Sequence, residues 1–161
     1  MNFTDGVDGL CSSVTVTAAV SLGVIAGLKG LFGFSMAAAA LAGACVGFLF
    51  WNKNPAKVFM GDTGSMFLGG MVVALAYALG CPLILLLAGV VYVVEGASDV
   101  LQIVYYRVTG GKRIFKMAPI HHHFELCGWS EKKIVAVFSA VNALGGAAAV
   151  AIMYSGGYIV K

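Results

Sequence analysis

Apolar residues fall in five runs along the chain, 14–28, 36–51, 66–79, 83–106 and 134–154, with polar stretches between them. Each run reads as a membrane-spanning helix, which predicts an all-α, polytopic membrane helix bundle of five transmembrane helices in a single domain over residues 1–161. The fourth run, of about 24 residues, crosses a hydrocarbon core of ~30 Å at ~1.5 Å per residue with length to spare. The shorter runs span only by extending into the turns that flank them. Phe50 and Trp51 close the second run as an interfacial aromatic pair. Gly80-Cys81-Pro82 marks a turn, its proline placed for the first turn of the next helix.

Composition agrees with that pattern. Of the 161 residues, 60% are hydrophobic and 11% charged, against about a quarter charged in soluble domains; mean hydropathy is +0.94. An integral membrane protein follows, and nucleic acid is not an expected partner. The 22 glycines sit among alanines inside the apolar runs, which suits close helix packing in lipid. Cys11, Cys45, Cys81 and Cys127 lack C-x-x-C spacing and read as free thiols and small packing residues. Met1 leads straight into N-F-T-D-G-V-D-G with no basic stretch before an apolar core, so no signal peptide is expected and the start reads as a cut end.

Five spans place the polar islands on one side of the membrane and the short turns on the other. Lys53, Lys57, Arg107, Lys112, Arg113, Lys116, Lys132 and Lys133 lie with the islands, against Lys29 and Lys161 opposite. Basic residues favour the cytoplasmic side, so the islands are expected in the cytoplasm. Asp5, Asp8, Asp62 and the histidines then meet at one membrane face.

The island Pro55 to Ser65 reads P-A-K-V-F-M-G-D-T-G-S. Gly61 and Gly64 leave Asp62 little steric cover, which suits close approach to a phosphate or hydrated metal. The alternative is a turn in which Asp62 or Thr63 caps the next helix. The third island carries His121, His122 and His123 in succession. Adjacent residues point in different directions, which argues against zinc. An extended loop after Pro119 is expected instead, offering imidazoles to phosphate oxygens beside Lys112, Arg113 and Lys116. Those basic residues equally suit anionic lipid headgroups. Carboxylates opposite a basic, histidine-bearing loop suggest a phosphoanhydride bound through Mg²⁺.

Three stretches, N-F-T-D-G-V-D-G-L at Asn2 to Leu10, N-K-N-P-A-K-V-F-M-G-D-T-G-S at Asn52 to Ser65 and R-I-F-K-M-A-P-I-H-H-H-F-E-L-C-G-W at Arg113 to Trp129, closely resemble the phospho-N-acetylmuramoyl-pentapeptide transferases, a branch of the polyprenyl-phosphate N-acetylhexosamine-1-phosphate transferase family. The resemblance runs along essentially the whole chain in order and spacing. It implies Mg²⁺-dependent transfer of phospho-MurNAc-pentapeptide from UDP-MurNAc-pentapeptide to undecaprenyl phosphate, giving lipid I and UMP, at the inner membrane of a bacterium. By position, Asp62 matches the family's metal-binding aspartate, and His121 and His122, ahead of His123, match its histidine motif. Asn2, Asp5, Gly6 and Asp8 match the loop at the uridine end of the nucleotide, and Phe59 the aromatic near the uracil. Asn52, Gly61, Ser65, Gln102 and Ala118 match other positions lining the nucleotide cleft. The family fold resembles a ten-helix bundle of which this chain matches the last five helices. The adjacent aspartates of the family's D-D-x-x-K motif have no counterpart here, so the chain alone is expected to be inactive. Its expected protein partner is the missing amino-terminal half or a second copy.

Glu95 and Asp99 stand apart, because charge inside a membrane helix is rare outside functional positions. A small transporter or channel using this pair is the alternative reading. For Asp99 a place facing the bundle interior is expected, hydrogen-bonded to neighbouring helices and near enough to the cytoplasmic end to reach water; Glu95 is open.

Overall fold

The computed structural model describes residues 1–156; Lys161, one of the two basic residues away from the islands, lies outside them. The described residues form helices joined by short turns, with no strand among them. After a 3-10 turn at Asn2–Thr4 come α1 (Leu10–Leu28), α2 (Phe32–Asn52) and α3 (Gly61–Ala78). A second 3-10 turn, Pro82–Ile84, leads into α4 (Leu85–Ala88), succeeded by α5 (Val90–Val108), α6 (Ile120–Glu125) and α7 (Glu131–Ser155).

Helix α1 is the hub. It packs most extensively on α2 and α7, and Leu10, Val14, Ala18, Leu22 and Ile25 are fully enclosed along one face, with Cys11 and Ala19 enclosed beside them. Its hydroxyls need partners in so apolar a place. Thr15, Thr17 and Ser21 return their hydrogen bonds to the carbonyls of Cys11, Val14 and Thr17 at 2.7, 2.8 and 2.8 Å, which keeps these hydroxyls paired inside the helix. On the far side, Lys29 Nζ reaches the Leu79 carbonyl at 2.6 Å and closes the end of α3.

The helices α1, α2 and α7 are each long and apolar enough to cross a membrane, and the bent pair Pro82–Ala88 and Val90–Val108 makes a fourth if its two parts count as one span. The expected count of five is therefore not reached among the described residues. Helix α3 has 18 residues, about 27 Å, but it opens on the polar G-D-T-G-S. Helices α1, α2, α3 and α7 begin three to five residues before the apolar runs do.

One expectation is corrected. The run 83–106 is not a straight span, because α4 and α5 meet at 87° across Gly89. Such a break frees backbone groups that hydrocarbon cannot satisfy. Asn142 of α7 meets them: its Oδ1 accepts from Val91 N at 3.2 Å, and its Nδ2 donates to the Ala88 carbonyl at 3.1 Å and to Thr17 Oγ1 at 2.8 Å. Gly145 admits the broken segment, since a Cβ there would collide with the Leu87 carbonyl. Beyond the break α5 runs outward, with Val100, Leu101, Ile103 and Val104 exposed.

Candidate functional site

The first polar loop, residues 1–9, lies between the other two polar islands. Asn2 Oδ1 accepts from Ser65 Oγ of α3 at 3.1 Å, and Asp8 Oδ2 accepts from Ala56 N at 2.8 Å, so the loop is fastened to the second island at both ends. Asp5, between these anchors, is half-buried, and its carboxyl is held above the usual carboxylate range. Burial is the main cause and the negative charge of Asp62 the next; the Gly61 N–H, donating to Asp5, opposes them. The two carboxylates therefore share one electrostatic neighbourhood.

Asp62 sits in the first turn of α3, where the helix dipole favours negative charge. Neither Asp62 nor Thr63 caps that helix: the N-cap is Met60, without a side-chain bond. Gly61 takes φ +66, a conformation that disfavours any side chain, and it turns the chain into α3. Asp62 is exposed. Phe59 is also exposed, at 75%. Asn52, by contrast, is buried; it takes a bond from Ser12 Oγ at 3.5 Å and donates to the Val58 carbonyl at 3.0 Å, which ties the island to α1.

The histidines are not in an extended loop. Pro119 is the N-cap of α6, and all three lie on that short helix. His121 and Glu95 are both fully buried, with Nδ1 and Oε2 2.9 Å apart; an ionised Glu95 can only accept, which would put the proton on Nδ1. His122 Nδ1 is paired in the same way with Glu125 Oε2. The two rings lie 4.2 Å apart, and both Nε2 atoms approach Gly6. His123 faces elsewhere: its Nδ1 accepts from Lys116 N at 3.1 Å and its ring meets Phe115 edge-on. The structure thus brings Gly6 against His121 and His122, and Asp5 beside Asp62.

A cleft of about 470 Å³ opens next to α6, lined by Asp99, Gln102, Tyr106, Arg107, Arg113 and Ala118 among others. Gln102 is occupied within the protein. Its Oε1 accepts from Ile114 N and Phe115 N at 3.1 and 3.0 Å, and its Nε2 donates to the Phe115 carbonyl at 3.0 Å. Asp99 lines this cleft, as its expected reach toward water requires, but its Oδ2 finds no hydrogen-bond partner among the described residues. Sequence reasoning left Glu95 open and passed over Glu125. The H-x-x-E spacing of His122 and Glu125, i and i+3 on a helix, was the available signal; Glu95 lies 26 residues from its histidine and gave none.

The family's Mg²⁺ can be weighed against these donors. Among the described residues no three His, Cys, Asp or Glu side chains gather as a metal cage. Mg²⁺ is commonly held by one or two carboxylates together with substrate phosphates and water. Asp62, exposed and beside Asp5, fits that manner of binding. The cysteines are free thiols, as expected.

Comparison with known proteins agrees with the resemblance in sequence. A family model described as glycosyl transferase family 4 matches residues 1–80. A phospho-N-acetylmuramoyl-pentapeptide-transferase from Clostridium perfringens (strain 13 / Type A) is 54% identical over 142 residues, covering 88% of this chain and 44% of the relative. One from Listeria monocytogenes serotype 4b (strain CLIP80459) is 46% identical over 153 residues, 95% of this chain and 47% of the relative. One from Carboxydothermus hydrogenoformans is 55% identical over 146 residues, 88% of this chain and 43% of the relative. The chain spans somewhat less than half the length of these relatives. The transporter reading finds no support in them, nor in Glu95, which is enclosed and bound to His121. With its apolar helices and its motif loops in the family's order, the chain is similar to phospho-N-acetylmuramoyl-pentapeptide-transferases along most of its length and to glycosyl transferase family 4 over residues 1–80.

Proposed function

We propose that this chain forms the carboxy-terminal part of an enzyme that moves phospho-MurNAc-pentapeptide from UDP-MurNAc-pentapeptide to undecaprenyl phosphate, yielding lipid I and UMP on the cytoplasmic side of a bacterial membrane. The observation that carries the reading is the position of the Asn2–Asp8 loop, which has Asp62 on one side and His121 and His122 on the other. A diphosphate needs negative metal ligands and positive or hydrogen-bonding groups around the same oxygens, and this loop lies where the two sets meet.

Asp62 would hold Mg²⁺, with Asp5 adding to the local negative charge; the cation, when bound, neutralises charge on the diphosphate as the phosphoryl group transfers. Asn2, Asp5, Gly6 and Asp8 form the wall nearest the nucleotide, and Phe59, exposed at the edge, is available to stack on a base. His122 Nε2 faces the same loop and suits a phosphate oxygen. Gly61 and Ser65 shape the turn into α3, while Asn52 and Gln102 act by holding loops. Ala118 lines the cleft beside α6, and the exposed apolar flank of α5 faces the lipid that carries the acceptor.

The test uses the intact enzyme, this chain joined to the helices that carry the family's Asp-Asp pair. It should release UMP from UDP-MurNAc-pentapeptide when Mg²⁺ and a polyprenyl phosphate are present. Asp62→Ala should lower that rate by at least ~10²-fold, the scale expected when charge stabilisation of several kcal/mol is lost. Near-normal turnover by Asp62→Ala would refute the metal-ligand assignment.

A further inference from the structure

Two carboxylates that the proposed reaction leaves unused stand behind the two histidines. Glu95, on α5, has no exposure and bonds His121 Nδ1. Glu125, at the end of α6, bonds His122 Nδ1, with both side chains about one-third exposed. Each imidazole is therefore gripped from behind at the same nitrogen. Both opposite nitrogens turn toward one point: an ideal Cβ on Gly6 would lie 2.5 Å from His121 Nε2 and 3.2 Å from His122 Nε2. His121 Nε2 is buried and has no hydrogen-bond partner among the described residues.

We propose that Glu95 and Glu125 are positioning residues, each holding the Nδ1–H of one histidine so that the paired Nε2 atoms meet phosphate oxygens at the Gly6 backbone. The physical reason lies in the tautomer. A neutral imidazole has one donor and one acceptor, and whichever nitrogen is held by a carboxylate becomes the donor. Both histidines then present an Nε2 whose lone pair is free to take a proton and bond an oxyanion. The buried Glu95–His121 pair also gives a fixed plate against which the more exposed His122 ring rests at 4.2 Å. Gly6 completes the arrangement, because any side chain there would occupy the space in front of both nitrogens.

The effect on turnover rests on the phosphoryl-transfer reading; the effect on the tautomers does not. Nitrogen NMR of the histidines in the intact membrane enzyme should place the proton of His121 and of His122 on Nδ1. Glu125→Gln should move His122 toward the other tautomer and leave His121 unchanged; Glu95→Gln should do the reverse. An amide behind an imidazole no longer fixes the tautomer, so turnover should fall about 10–100-fold in each. Glu125→Asp, which keeps the carboxylate, should recover most of the Glu125→Gln loss. Should Glu95→Gln fail to fold, the partly exposed Glu125 decides the matter alone. An unchanged His122 tautomer in Glu125→Gln overturns the proposal whatever the activity, and so does a shifted tautomer with undiminished turnover. If the unmodified enzyme shows no UMP release, the proposed reaction fails, and the spectra still decide whether the glutamates hold the histidines.

Discussion

Asn142 accepts the backbone N–H of Val91 through Oδ1 at 3.2 Å, across the gap where the fourth apolar run breaks. Its amide also donates to the Ala88 carbonyl at 3.1 Å, so one side chain serves both sides of the bend. Asn142→Leu keeps the branched shape and leaves both backbone groups unpaired. The variant should unfold in detergent about 1–2 kcal/mol more easily than the parent, the range between average intramembrane hydrogen bonds and buried unpaired groups. Equal stability in reversible unfolding would show that the bend does not depend on this residue.

Close approach at the same bend yields a second expectation. A Cβ on Gly145 would collide with the Leu87 carbonyl and lie 2.9 Å from Val90 Cγ1, whereas one on Gly43 of α2 meets nothing within 4 Å. Gly145→Ala should therefore lose about 1–3 kcal/mol through overpacking, and Gly43→Ala should lose none. Parallel unfolding curves for the two variants make the comparison.

These two sites show where the sequence was legible. Apolar runs reported which segments are helical, because hydrocarbon leaves the backbone no other arrangement. Gly89 gave no sign of a break, since glycine is common in packed membrane helices and the groups that satisfy the break come from Asn142, more than fifty residues later. Motif order likewise put Asp62 and the histidines forward as candidates. It could not announce that Glu95 backs His121, a pairing made only when α5 and α6 fold together, nor that Asn52 and Gln102 turn inward to hold loops.

The coupling between Asp5 and Asp62 has a definite sign. Burial and then the charge of Asp62 raise the Asp5 pKa, so the folded protein holds that proton more tightly than the unfolded chain does. Asp5 thus favours folding at low pH, a contribution lost as pH rises through its folded pKa. Asp62→Asn should lower the Asp5 pKa and weaken that loss, while leaving the value above the usual carboxylate range because burial, the larger cause, remains. Carboxyl carbon NMR titration in chelator would test this; an unmoved Asp5 would mean the carboxylates do not interact.

Gln102 offers the last test, one of loop positioning. Its side chain makes three hydrogen bonds to the backbone of Ile114 and Phe115, which fix the stretch carrying Arg113 and Lys116 relative to α5. Gln102→Leu should release that stretch while α5 itself stays folded, since its backbone ladder does not use the side chain. Amide exchange at Ile114 and Phe115 should then quicken by at least about tenfold, the equivalent of about 1.4 kcal/mol in local opening. Exchange in α1, enclosed at the centre of the bundle, should not change. Uniform acceleration across the chain would mean that Gln102 supports the whole fold, and unchanged exchange at Ile114 and Phe115 would mean that the loop is held by something else.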